Sequence, residues 1–200
     1  MKVIDAAKRF DSLIPLHWCT SVINFINQTN KKKLTTAVGL REEVRNVEGT
    51  HFHPPLKPYS LNNFSKEDLI KELPKCIFSL QLKKLLEIPL LNYNVIFPDC
   101  TISNLLQIDF LKYEPGGKYE QHIDRGSLSN RYLTVIINLN SDYEGGEFVF
   151  FNPSTRNKEV VKEEKLKEGS VLIFPSNFLF PHSIKPITKG TRYSLVCWLE

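Results

Sequence analysis

The chain has 200 residues, 42% of them apolar and 24% charged, with 26 lysines and arginines against 22 aspartates and glutamates for a net charge of +4. This balance excludes a highly charged disordered chain and fits one globular domain with a substantial core. The one basic run, Lys31-Lys32-Lys33, reads as a solvated loop, so charge is not gathered into the patch a nucleic-acid binder uses.

The first residues include Lys2, Asp5, Lys8, Arg9 and Asp11 and hold no apolar signal core. No stretch approaches the roughly 20 apolar residues of a membrane span. Cys19, Cys76, Cys100 and Cys197 are scattered, without a Cys-x-x-Cys pair, as expected of reduced thiols. Cys197, in an apolar stretch, is expected to pack as a small hydrophobe. Together these features predict a cytoplasmic protein with no membrane partner. The oligomeric state is left open.

Residues 16–29 place Leu16, Cys19, Val22, Ile23 and Ile26 at helical spacing. Pro54-Pro55-Leu56-Lys57-Pro58 reads as loop. Ser65 with Asp68 three residues on makes a capping box, predicting a helix to about Leu73, where Pro74 interrupts. A further helix is expected over 76–88. The first half therefore reads as helices with a strand or two. From residue 103 the pattern changes to short apolar or alternating segments (103–112, 131–139, 146–151, 157–161, 170–174, 182–187 and 191–199) separated by Gly, Pro, Asn and Asp. Several short strands at regular intervals argue for a sandwich or barrel. Asp142 to Glu147 reads as a turn in which glycine allows positive φ.

His122, Asp124 and His182 form His-x-Asp followed much later by His. Two neutral imidazoles and one carboxylate are the protein half of a non-haem Fe(II) site, and they leave one face of the metal open. In a strand His122 and Asp124 project to the same side, because side chains alternate with period two. His182 must then return on a neighbouring strand, which a double-sheet jelly roll achieves. His51-x-His53 is a competing pair, but it lacks a carboxylate or cysteine nearby and reads as loop. Ten residues after His182 stands Arg192, whose planar, permanently charged fork suits a carboxylate. Ser194, Val196 and Trp198 share its face in a strand.

The segments Tyr113 to Asp124 (YEPGGKYEQHID), Arg131 to Asn140 (RYLTVIINLN), Asp142 to Phe148, Gly169 to Pro175 (GSVLIFP), Pro181-His182 and Gly190 to Trp198 resemble, in order, the 2-oxoglutarate and Fe(II)-dependent dioxygenases of the prolyl 4-hydroxylase-like branch. The likeness covers roughly residues 101–200; earlier, only Arg45-Asn46 faintly resembles a segment that precedes the core in relatives. It implies a mainly β protein with flanking helices (α+β). Its core would be a double-stranded β-helix, or jelly roll, over 101–200, buttressed by a helix-rich region over 1–100 in one domain.

The resemblance also implies a cofactor set of Fe(II), 2-oxoglutarate and O₂, with ascorbate as reductant. His122, Asp124 and His182 would hold the metal, and Arg192 would anchor the far carboxylate of 2-oxoglutarate with help from Ser194. Tyr113 would hydrogen-bond the co-substrate, and Trp198 would wall its pocket. Asn138 stands where some relatives carry a tyrosine that contacts 2-oxoglutarate; its amide is able to donate instead. Tyr119 reads as packing, and Arg125 and Arg131 as facing solvent. The implied reaction is hydroxylation of an unactivated C–H, first of a prolyl residue in a peptide or protein, with 2-oxoglutarate decarboxylated to succinate and CO₂. A free amino acid or other small molecule is the alternative substrate. Nucleic-acid demethylation is disfavoured, because relatives with that activity usually carry a second arginine where this chain has Trp198. The intact triad with Arg192 argues against a non-catalytic binding module.

Overall fold

The structure, a computed structural model, describes residues 2–34, 41–54, 66–102, 104–126, 129–154 and 158–200. In chain order the elements are β1 (Lys8–Phe10), α1 (Leu16–Gln28), β2 (Lys32–Lys33), β3 (Arg45–Asn46), β4 (Glu48–Phe52), α2 (Lys66–Ile96), β5 (Leu105–Tyr113), β6 (Lys118–His122), β7 (Leu133–Asn138), β8 (Glu144–Gly145), β9 (Phe148–Phe151), β10 (Val160–Glu164), β11 (Val171–Pro175), β12 (His182–Ile184), β13 (Ile187–Lys189) and β14 (Arg192–Leu199). A seven-stranded sheet has the order β1-β11-β7-β14-β5-β4-β2, and a five-stranded sheet the order β10-β9-β12-β6-β3. β13 and β8 form a small pair, and each of these pairings is antiparallel.

Residue parity explains the layering. On β7, β14 and β11 the odd-numbered side chains Val135, Ile137, Leu195, Cys197, Val171 and Ile173 pack with Trp18, Val22, Ile26, Leu82 and Leu86 of the helices. The even-numbered Ile136, Leu172 and Phe174 turn the other way, against Phe148, Phe150 and Ile184 of the five-stranded sheet. β5 reverses the parity: Ile108 and Phe110 meet the helices, whereas Leu111 and Tyr113 face the second sheet. One sheet is thus buried on both faces, and every residue of β7 is buried. Cys197 is fully buried in the helix-facing layer, and burial pushes its thiol up.

Several expectations are corrected. α2 does not stop at Leu73 but runs through Pro74 and Pro89 to Ile96. A proline inside a helix removes one backbone hydrogen bond, and here burial of Leu82, Leu86 and Tyr93 further along outweighs that local loss. The first hundred residues carry the two helices, as expected, but also four strands rather than one or two: β1, β2 and β4 enter the large sheet and β3 enters the smaller one. The basic run is not plain loop either. Lys32 and Lys33 form β2, and the Lys31 ammonium donates to the Ile26 carbonyl at 2.9 Å, satisfying the C-terminal turn of α1. The segment 182–187 divides into β12 and β13. The capping serine Ser65 and the loop residues 55–58 lie outside the described residues. No described helix is long and apolar enough to cross a membrane.

Candidate metal centre and co-substrate pocket

β12 lies between β9 and β6, and its register sets His182 directly opposite His122. β6 ends at His122, so Asp124 is not a strand residue as expected; it occupies a bend two residues on. The ligand atoms of His122, Asp124 and His182 all lie within 4.8 Å of one another. His122 Nε2 is 3.4 Å from Asp124 Oδ1, and His182 Nε2 is 3.6 Å from Asp124 Oδ2. Among the described residues this is the one cluster of three or more metal-capable side chains. His51 and His53 are rim residues of the outer cleft and belong to no such cluster.

The donor chemistry fits a divalent transition metal. His122 Nδ1 lies 2.8 Å from the Glu120 carbonyl, and His182 Nδ1 lies 2.9 Å from the Phe180 carbonyl. Both Nδ1 atoms therefore carry the proton, which leaves both Nε2 lone pairs aimed at the centre. Burial pushes the His182 imidazole down to about 4, keeping it neutral and able to ligate at ordinary pH. Burial opposes ionisation of Asp124, but the His182 and His122 imidazoles and the Thr134 hydroxyl together hold its carboxyl well below the usual range. Thr134 Oγ1 donates to Asp124 Oδ2 at 2.7 Å and lies 2.8 Å from Ser176 Oγ. The Arg131 guanidinium donates to the Asp124 main-chain carbonyl at 3.1 Å. The bend is thus held at both its side chain and its backbone.

Beside the triad an inner cavity is lined by Tyr113, Tyr119, Arg192, Ser194, Val196 and Trp198, together with the three metal-capable residues. Arg192 is 2% exposed, yet it makes no ion pair with a carboxylate of the described residues; its Nε donates to Asn138 Oδ1 at 3.2 Å and its guanidinium stands 5.3 Å from the Tyr113 ring. Leaving a buried cation without a counter-ion costs several kcal/mol, roughly. Ser194 Oγ and Trp198 Nε1 are buried without a hydrogen-bond partner. A buried guanidinium beside an orphaned hydroxyl is a receptor for an anionic group, so these residues fit the far carboxylate of 2-oxoglutarate. Burial raises the Tyr113 phenol, which stays a neutral donor.

Asn138 is placed differently from expectation. It does not line this cavity; its amide donates to the carbonyls of Asn140 and Leu166, and its oxygen accepts from Arg192 and from Tyr143 Oη. It stands behind Arg192 and aims it. Tyr119 does more than pack: its ring stacks on His122 with centroids 3.6 Å apart, and the Arg45 guanidinium covers it at 4.7 Å. Arg125 is exposed, over the Tyr132 ring, whereas Arg131 turns inward and lies 3.7 Å from the Trp198 ring.

An open cleft of about 1240 Å³ leads to the metal-facing side chains. Its floor holds Asp109, which accepts from Gln107 at 2.6 Å and pairs with Arg45 at 3.5 Å. Burial raises the Asp109 carboxyl, partly offset by Gln107 and Arg45. Sequence reasoning missed Thr134, Ser176, Asp109 and Arg45 as parts of this site. Parity was the available signal for two of them: Thr134 shares its strand face with Asn138, and Asp109 shares one with Tyr113.

Paired antiparallel sheets thus carry a His-Asp-His cluster beside an anion receptor. The profile described as the 2OG-Fe(II) oxygenase superfamily matches residues 108–200 of the chain. Among curated proteins, a PKHD-type hydroxylase of Gloeothece citriformis is 36% identical over 97 residues, which are 46% of this chain and 41% of the relative. The chain therefore spans less than two thirds of the curated relatives it matches. Among solved structures, a Pseudomonas putida prolyl-4-hydroxylase superposes with a TM-score of 0.69 at 16% identity, covering 99% of this chain and 97% of that one. A Trichoplax adhaerens prolyl hydroxylase, solved in complex with a hypoxia inducible factor peptide fragment, gives a TM-score of 0.66 at 18% identity over 98% and 86% of the two chains. The fold is shared with both.

Proposed function

We propose that the protein is an Fe(II)- and 2-oxoglutarate-dependent dioxygenase with a double-stranded β-helix core that hydroxylates a prolyl residue in a peptide or protein. The observation that carries this reading is the buried Arg192, with no carboxylate partner among the described residues, beside the orphaned Ser194 hydroxyl and within one cavity of the His-Asp-His cluster. When bound, the metal and co-substrate supply oxidative decarboxylation of 2-oxoglutarate to succinate and CO₂, coupled to hydroxylation of a C–H bond.

The chain's own residues do the rest. His122, Asp124 and His182 offer three donors on one side and leave the other side free. Arg192, aimed by Asn138, orients the co-substrate through its far end. Phe148 stacks on His182 with ring centroids 5.0 Å apart, keeping water from that imidazole. The cleft exceeds the several hundred Å³ typical of small-ligand pockets and is open enough for a polypeptide segment. Lys32, Lys33, Arg45, Lys75 and Arg131 line it against Glu72 and Asp109, apart from the metal-facing Asp124, so a substrate with acidic residues near its proline suits it.

The test is anaerobic titration with Fe(II) and 2-oxoglutarate, read by the visible metal-to-ligand charge-transfer band, followed by succinate release with proline-containing peptides. A band that vanishes in His182→Ala, with succinate released on adding an acidic proline peptide, is the expected result. A folded protein with no band refutes the reading, and a band with succinate released only for free amino acids refutes the polypeptide substrate.

A further inference from the structure

α2 is apolar on two opposite sides. Leu82, Leu86 and Tyr93 face the core and are at most 2% exposed. On the far side Ile70, Leu73, Ile77 and Leu80 follow one another at steps of three, four and three residues, and they are 46–70% exposed. After Lys84 the stripe resumes with Ile88, Leu91 and Val95, 64–74% exposed. At 100° per residue these seven positions fall within an arc of about 80°, with Lys84 at its middle. Alternating steps of three and four are the spacing of a coiled-coil seam.

We propose that this stripe is a homodimer interface on which a second copy of the chain lays its own α2 antiparallel. The pattern is close to its own mirror image about residues 82–83. In that register Ile70 meets the partner's Val95, Leu73 meets the partner's Leu91, and Ile77 meets the partner's Ile88. Leu80 lies along the apolar stem of the partner's Lys84. A pattern that matches its own reverse is what a two-fold interface requires, because one patch must serve both copies.

The area agrees. At about 90 Å² of exposed apolar surface per side chain, the stripe amounts to roughly 600–700 Å² per copy, near the roughly 800 Å² per partner of a stable interface. It also exceeds the roughly 300–600 Å² patch that a typical monomer leaves bare. Over 31 residues the helix is about 46 Å long, enough for all these contacts to form at once. The seam lies on the side of α2 away from the sheets, so pairing leaves the proposed active site undisturbed.

The experiment is sedimentation of the full chain across micromolar concentrations, with three variants alongside. The wild type is expected at twice its 23.1 kDa chain mass. Ile77→Glu and Leu80→Glu, each alone, are expected to shift it to the single mass with unchanged circular dichroism and unchanged Fe(II) binding. Lys84→Leu removes the one charge from the seam and is expected to lower the dimer dissociation constant about tenfold or more. This third variant adds apolar contact, so its readout does not depend on a variant that fails to fold. A wild type that stays at 23.1 kDa throughout overturns the proposal. A dimer whose dissociation constant none of the three changes overturns it as well.

Discussion

His122 and His182 sit directly opposite each other on neighbouring antiparallel strands, with ring centroids 4.2 Å apart. Strand pairing, rather than a loop, sets the distance between the two imidazoles. Asp124 is different, because it comes after β6 has ended and depends on other groups to stay in place.

Thr134 is the main such group. Its hydroxyl bonds the Asp124 carboxylate and is itself tied to Ser176. Thr134→Val keeps the shape and deletes the hydroxyl, so Fe(II) affinity is expected to fall about 10- to 100-fold. Thr134→Ser is expected to restore most of it. Calorimetric or spectroscopic Fe(II) titration of the three proteins decides; equal affinities would remove Thr134 from the metal's support.

The anion receptor gives a graded series. Arg192→Ala is expected to raise the 2-oxoglutarate dissociation constant by about 100-fold or more, since a buried charged hydrogen bond is worth roughly 2–5 kcal/mol. Ser194→Ala, losing one neutral donor, is expected to cost about 3- to 10-fold. Asn138→Leu touches no ligand but releases Arg192, so its effect is expected to fall between the two. Displacement titrations with 2-oxoglutarate measure all three.

The metal-free protein is expected to lose stability in acid. Burial lowers the His182 pKa from 6.5 to about 4, so between those values the unfolded chain binds a proton that the folded chain refuses. Stability contributed by this site is therefore intact above pH 6.5 and declines as pH falls towards 4, by up to about 3 kcal/mol. Thermal melts in a chelating buffer should show a falling Tm over that window, and His182→Gln should flatten the fall. A melting temperature independent of pH there would contradict the buried, neutral imidazole.

Gly146 offers a steric test. Its φ is +67°, and an added Cβ would lie 2.5 Å from Ile187 Cδ1 and 3.2 Å from Arg192 Cδ. Gly146→Ala is expected to destabilise the fold by about 1–2 kcal/mol and to weaken 2-oxoglutarate binding by pressing on the Arg192 stem. Denaturant melts and the same displacement titration report the two effects separately.

The triad and Arg192 were legible chiefly because the ordered motifs around them resemble one family, since His182 stands 58 positions after Asp124 and the spacing alone is weak evidence. The even face of β14, carrying Arg192, Ser194, Val196 and Trp198, followed from strand periodicity alone. Asn138 was harder: the amide that was free to donate in the sequence is fully engaged by two carbonyls in the fold. Arg45 on β3 and Asp109 on β5 lie 64 positions apart and meet only where the two sheets pack together, which local pattern does not encode. Pro74 misled for a related reason, since a local helix-breaking cost was outweighed by side chains up to 19 positions downstream, at Tyr93.

Both histidines are oriented through main-chain carbonyls two positions before them, at Glu120 and Phe180. A carbonyl is supplied by any amino acid, so the side chains at these two positions are released from the task of aiming the rings. Glu120 is thereby free to change without turning a ring, whereas Phe180, packed against Phe150 and Phe174, is held by the core alone.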